Sequence, residues 1–271
     1  MIAFEWKERY NLDDFRRVID ILRHPGGCPW DQAQDHHSIR RNFIEEVYEV
    51  CEAIDTENPD LLREELGDVL MQVLFHASIE ADAGRFTIDD VADAAVKKLI
   101  FRHPHVFGQR AVSGVGQVLE NWDELKREEK GQATYTDTLD AVARSLPALW
   151  RAEKVQKKAA KAGFDWPDIG GALDKVDEES RELREAVARQ SNPSEELGDL
   201  LFAAVNAARF LDADPEEALH RASEKFIARF RLVEEQAVGS GRDMRQIPAD
   251  ELEAYWRAAK EMQPEKETQP S

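Results

Sequence analysis

Two stretches of this chain place carboxylates where they could trap a divalent cation. Residues 64–70 read EELGDVL and residues 195–201 read EELGDLL, and an acidic run precedes each: IEEVYE at 44–49 and DEESRE at 177–182. Residues three apart on an α-helix project from the same side. Glu46 with Glu49, Glu65 with Asp68, Glu179 with Glu182 and Glu196 with Asp199 therefore each form a pair one turn apart. Like charges so placed destabilise an isolated helix, and something positive must offset them. A lone Glu-x-x-Glu in an acidic chain is ordinarily a solvated face. The same two pairs, in the same order, in both halves of one chain ask for another explanation.

Oxygen donors in this number suit a hard ion such as Mg²⁺, with Mn²⁺ as a substitute. Four clustered carboxylates carry about −4 and a nucleoside triphosphate about the same, so two or three divalent ions plus Lys and Arg are needed for approximate neutrality. Phosphate esters are thus the natural ligand, and hydrolysis by a metal-bound water the natural chemistry. The basic side of such a site recurs as well. Lys98 and Arg102 stand four apart in KKLIFR, and Lys225 and Arg229 four apart in EKFIAR; further on, Trp122 and Lys126 are matched by Trp256 and Lys260.

The elements that must carry these groups are helices. Phe43, Val47, Val50 and Ile54 make one apolar stripe, and Leu62, Leu66, Val69 and Val73 a second; Val176, Leu183 and Val187, then Leu197, Leu200 and Ala204, give the same frame in the second half. All four acid pairs lie on the shoulder of such a stripe, so two helices packed antiparallel would bring four carboxylates together at the rim of a core. Ser38 is the expected N-cap of the first acidic helix, and Asn58-Pro59 opens the second, running to about Ala83. Thr87 caps a helix with Ile88, Val91, Ala95 and Leu99 facing inward. Residues 131–138, GQATYTDT, are polar and place a linker at 131–145. The expected organisation is an N-terminal helical domain over 1–130, a C-terminal one over 146–262, and a disordered tail at 263–271.

Composition narrows the functional classes. The 271 residues carry a formal net charge of −19, a field that repels polyanions, so duplex nucleic acid is not an expected ligand. No apolar run approaches the roughly 20 residues of a membrane span, and MIAFEWKERY has no secretory pattern, so a cytoplasmic protein without a membrane partner is expected. Cys28 and Cys51 form no C-x-x-C pair, and CPWD reads as a packed turn. A di-iron bundle would need Glu-x-x-His on two helices, and Glu217 with His220 is a single such pair outside the acidic runs. His103-Pro104-His105 reads as a structured turn.

CPWD at 28–31, EEVYEV at 45–50, EELGDVL at 64–70, RHPHVF at 102–107, SLPALWRAEKVQKKAAKAGFDW at 145–166 and the second EELGDLL together closely resemble the two-domain MazG nucleoside triphosphate pyrophosphohydrolases. The resemblance implies an all-α fold of two tandem units with four-helix-bundle packing, often completed by a homodimer. It also implies Mg²⁺-dependent cleavage of NTPs and dNTPs between the α- and β-phosphates, with the C-terminal unit as the principal catalytic one. Carried over, Glu179, Glu182, Glu196 and Asp199 match the metal ligands, with Glu178 beside them among the catalytic acids. Lys175, Lys225, Arg229 and Trp256 match nucleotide-contacting positions, and Glu195 and Lys260 are grouped with these. The N-terminal unit retains its own metal set, Glu46, Glu49, Glu65 and Asp68. The chain departs from the pattern at Asn192-Pro193-Ser194, where the family often has a lysine. A non-catalytic helical module that senses nucleotides or docks a protein partner is the alternative expectation.

Overall fold

The computed structural model describes residues 4–239 and 241–262, with residues 119 and 120 as backbone only. The expected tail at 263–271 lies outside them. Among the described residues every regular element is helical. None of the helices is long and apolar enough to cross a membrane. In chain order they are α1 (Leu12–Arg23), α2 (Pro29–Gln32), α3 (Arg40–Asp55), α4 (Pro59–Asp82), α5 (Ile88–Arg102), α6 (Pro104–Phe107), α7 (Val115–Glu129), α8 (Tyr135–Asp140), α9 (Ala148–Lys161), α10 (Ile169–Arg189), α11 (Pro193–Phe210), α12 (Pro215–Gly239) and α13 (Ala249–Met262). Two compact units result, Met1–Lys126 and Arg127–Ser271.

Local chemistry sets most boundaries. Asn11 caps α1 by accepting from the Asp14 N–H while Asp14 accepts from the Asn11 N–H, and Thr87 and Asp90 repeat this box at α5. Asn58 accepts from Leu61 N–H with Pro59 at the first position of α4. Ser38 does not cap α3. Its hydroxyl accepts from Asp35 N–H, Asp35 in turn accepts from the N–H groups of His37 and Ser38, and α3 starts at Arg40 with no side-chain cap. The closed Asx-type turn uses up the serine. The stretch expected as linker contains α8, which starts from another capping box, Thr134 with Asp137.

Each unit is built on one helix hairpin, α3 on α4 and α10 on α11. Both turn over three residues, 56–58 and 190–192, using a left-handed non-glycine residue, Glu57 (φ 50°) and Gln190 (φ 53°). So short a connection forces antiparallel neighbours. In the first unit Ile19, Ile39, Leu74 and Phe75 form the buried core, with Phe15, Met71, Ile79 and Ile88 against it. In the second, buried positions are mostly small: Ala172, Ala186, Ala203, Ala207, Ala237 and Ala259, with Val205 and Val233. Small side chains let helix axes approach closely.

The expected burial of the stripes needs correction. Val47 (44%), Ile54 (56%), Leu66 (51%) and Leu197 (48%) are exposed, as are Val187, Val91 and Leu99. What the α3–α4 pairing buries instead includes Ala53, Gln72 and Glu65. A two-helix layer has one seam, and the acids border it. Beyond that seam Val47, Ile54, Leu66 and Leu197 stay about half exposed.

Candidate metal centre

On the first hairpin, α3 supplies Glu46 and Glu49 and α4 supplies Glu65 and Asp68. One carboxylate oxygen from each of Glu46, Glu49 and Glu65 lies within 4.8 Å of the others. Burial, then the charges of Asp68 and Glu49, raise the pKa of Glu46 above the usual glutamate value; an amide hydrogen bond from buried Gln72 opposes them. Glu65, 9% exposed, is raised by burial and then by Glu49 and Asp68.

The second hairpin repeats the arrangement, with Glu179 and Glu182 on α10 and Glu196 and Asp199 on α11. Oxygens of Glu179, Glu196 and Asp199 lie within 4.8 Å of one another. Burial, then Glu182, Glu179 and Asp199, raise the Glu196 pKa. Glu179 is 5% exposed, and the Lys175 Nζ sits 2.6 Å from its Oε1 and 3.2 Å from Oε1 of Glu178. That ammonium stands where a positive ion is called for, and its own pKa is pushed up, chiefly by the bond to Glu179 and then by Glu178. Glu195 is held at the start of α11 by Asn192, whose amide donates to its Oε2 at 2.8 Å.

The basic and aromatic candidates fall on other helices. Lys98 and Arg102 are on α5, exposed and buried respectively; Lys225 and Arg229 on α12 show the same contrast. Arg102 lies over the Trp122 ring at 5.7 Å. Trp256 on α13 packs against Phe226 of α12 at 5.1 Å, with Lys260 Nζ 5.8 Å from its centroid. The His103 Nδ1 donates to the Leu99 carbonyl and its ring meets Trp122 edge-on; the HPH segment is not the expected turn but the junction of α5 and α6, which Pro104 opens. Glu217 pairs with Arg221. Sequence reasoning passed over Gln72, although its place seven residues after Glu65 sets it on the acidic face of α4.

The donor chemistry fits a hard divalent ion. Each cluster offers three carboxylates at short range, with raised carboxylate pKa values that a cation would relieve, and one of them already holds an ammonium as a stand-in cation. The acidic clusters can hold a metal ion.

Comparison with known proteins agrees with this geometry. The family model described as MazG nucleotide pyrophosphohydrolase domain matches residues 34–107 and 172–233, so each matched segment contains one acidic hairpin. A Thermotoga maritima protein named nucleoside triphosphate pyrophosphohydrolase/pyrophosphatase MazG is 44% identical over 92% of this chain and 95% of its own length. An Escherichia coli K12 nucleoside triphosphate pyrophosphohydrolase is 43% identical over 92% of this chain and 97% of its length. One of the same name from Mycolicibacterium smegmatis is 40% identical over 76% of this chain and 64% of its length. With its acid pairs on both hairpins and these relatives along nearly its whole length, the chain belongs to the MazG nucleotide pyrophosphohydrolase family.

Proposed function

We propose that this protein is a Mg²⁺-dependent nucleoside triphosphate pyrophosphohydrolase that converts NTPs and dNTPs to the monophosphate and pyrophosphate, with Mn²⁺ able to replace Mg²⁺. The observation that carries this reading is the pair of three-carboxylate clusters, each on an antiparallel helix hairpin. Glu46, Glu49, Glu65 and Asp68 would hold the ion in the first unit, and Glu179, Glu182, Glu196 and Asp199 in the second. When bound, the ion supplies charge neutralisation for the phosphates and activation of water. The bond that breaks joins the bridging oxygen to phosphorus; a water oxygen takes its place on phosphorus, a proton is released, and pyrophosphate leaves.

The chain's own residues hold the ends of the substrate. With the carboxylate of Glu179 given to an ion, Lys175, now 2.6 Å from it, would be free to bind a phosphate oxygen. Lys225 and Arg229 hold further phosphate charge, and Trp256, backed by Phe226, offers a face for a base. Glu178 and Glu195 border the centre, and the Lys260 Nζ lies 5.8 Å from the Trp256 ring centroid. Net charge −19 speaks against a nucleic-acid partner. A cytoplasmic setting, where nucleoside triphosphates are made and spent, fits the reading.

A homodimer completes it. Ile44, Val47, Tyr48 and Leu66 of the first unit and Leu173, Val187, Leu197 and Leu201 of the second are exposed on the helices that carry the acids. A second copy seated there would give each hairpin the four-helix surroundings its apolar residues require. Light scattering at micromolar concentration should give twice the 30.9 kDa chain mass; a monomer would reject this part. The activity is tested by pyrophosphate release across a panel of NTPs and dNTPs, with and without Mg²⁺. Saturable nucleotide binding without a monophosphate product would point instead to a sensing module.

A further inference from the structure

Away from the carboxylates, the first unit holds a second group of titratable side chains. The loop between α2 and α3 sets His36 against α4, its Nδ1 2.7 Å from Nδ1 of His76 and its Nε2 2.5 Å from Oε1 of Glu80. The two imidazole planes lie within 11° and their centroids are 5.0 Å apart. With the nitrogens only 2.7 Å apart, the rest of that separation is taken up by the two ring radii. The rings therefore meet edge to edge, nitrogen to nitrogen, rather than face to face.

Such a contact admits one proton. Buried Glu80 is held ionised by Arg85, whose Nη2 donates to Oε1 at 2.6 Å and whose Nε donates to Oε2. Its pKa is lowered to about 2, first by Arg85 and, after the opposing effect of burial, by His36. An ionised carboxylate only accepts, so His36 carries a proton on Nε2. With His36 neutral, the Nδ1–H of His76 must donate to it; with His36 protonated, the direction reverses and His76 accepts. A second added proton would set two N–H donors 2.7 Å apart, with like charges on both rings.

We propose that His36 and His76 form a one-proton joint that positions the start of α3 on α4, and with it Glu46 and Glu49 opposite Glu65 and Asp68, and that acid opens it. His76 is the pivot, since its ring also packs on Phe43, three residues before Glu46, at 5.6 Å. His36 faces His76 and Glu80 from α4, with Arg85 behind Glu80. On its own loop stand His37 and Asp35, the latter engaged by backbone N–H groups. His76 faces His36 from the loop and apolar Phe43 from α3. Burial, then the nearness of His36, hold the His76 pKa below the usual imidazole value. A depressed histidine contributes stability that is present above its ordinary pKa and lost as pH falls through the depressed one. In the second EELGD helix the positions matching His76 and Glu80 are Ala207 and Leu211, so the joint belongs to the first hairpin.

The joint matters because α3 and α4 wall the proposed first metal centre, but its test needs neither metal nor nucleotide. A failed joint and a failed activity are therefore told apart. Long-range ¹H–¹⁵N spectra of the full-length chain should show, above neutral pH, His76 as the Nδ1–H tautomer and His36 as the Nε2–H tautomer. On acidification the nitrogen–nitrogen contact should persist with one added proton and break when a second enters. Two rings titrating independently, both as Nε2–H tautomers, would overturn the proposal. Hydrogen exchange then reads the positioning. His76→Phe should lower amide protection over residues 40–49 about tenfold. His76→Asn, which keeps a donor at the Nδ1 position, should retain protection and lose its acid sensitivity. Wild-type protection in both variants at every pH would also sink the idea.

Discussion

In the first acidic cluster burial and neighbouring carboxylates raise Glu46 and Glu65, with the amide of buried Gln72 opposing the rise at Glu46; in the second, Lys175 puts an ammonium 2.6 Å from Glu179. In sequence the four acids match one for one, although the three that close up are Glu46, Glu49 and Glu65 in the first unit and the counterparts of Glu46, Glu65 and Asp68 in the second. Their counter-groups do not: in the register that aligns Glu46 with Glu179, Lys175 falls on Asn42, and in the register that aligns Glu65 with Glu196, Gln72 falls on Ala203. Repulsion among clustered carboxylates is thus offset by a neutral amide in one unit and by a full positive charge in the other. On the proposed reading, an ion entering the second cluster would displace Lys175 from Glu179 and free it for the incoming phosphates. The first cluster has only an amide to rearrange around Glu46. Duplicated acids therefore need not mean duplicated behaviour.

The largest expected effect separates the two units by activity. Glu196→Gln or Asp199→Asn should reduce pyrophosphate release by about a hundredfold if the second cluster dominates. Unchanged turnover in both variants would shift the chemistry to the first unit, where Glu46→Gln or Glu65→Gln should then carry the loss. Circular dichroism should show the helical fold intact in all four.

A smaller effect concerns order of binding. In a Glu65→Gln background, which leaves the second cluster to be read alone, Lys175→Met should tighten nucleotide-free Mn²⁺ binding about tenfold while raising the KM for nucleotide. Titration followed by electron paramagnetic resonance measures the first and steady-state kinetics the second. Unaltered Mn²⁺ affinity would mean that Lys175 does not compete for Glu179.

The smallest effect is thermal. Glu46, Glu65 and Glu196 have raised pKa values, so their protonated forms stabilise the fold below the ordinary glutamate pKa. That contribution is lost as pH rises through the raised values, leaving repulsion at neutral pH. Adding Mg²⁺ should accordingly raise the melting temperature by about 3 °C at pH 7 and by less at pH 5. Gln72→Ala, which removes an amide that lowers Glu46, should enlarge the increment at pH 7. An increment independent of pH would detach it from these carboxylates.

Much of the candidate site was legible because its grammar is local. The three-residue acid spacing, Asn58-Pro59 at α4 and Thr87 at α5 each act within one turn of helix, and the helices formed where these groups placed them. The helix at 135–140 was legible too, in Thr134 and Asp137, but polar composition argued for a linker. Ser38 went astray because Asp35 competes for it, a contact that depends on how the loop closes.

By itself, then, the sequence determined an all-helical chain with two acidic hairpins, since capping, helical periodicity and short connections involve only neighbours along the chain. Tertiary structure alone decided that Glu65 and Glu179 are buried while Leu66 and Leu197 face outward, that Lys175 reaches Glu179 with no matching lysine in the first unit, and that His36 meets His76 edge to edge. Periodicity fixes which side chains share a face, whereas burial and pairing depend on which other element comes to cover that face.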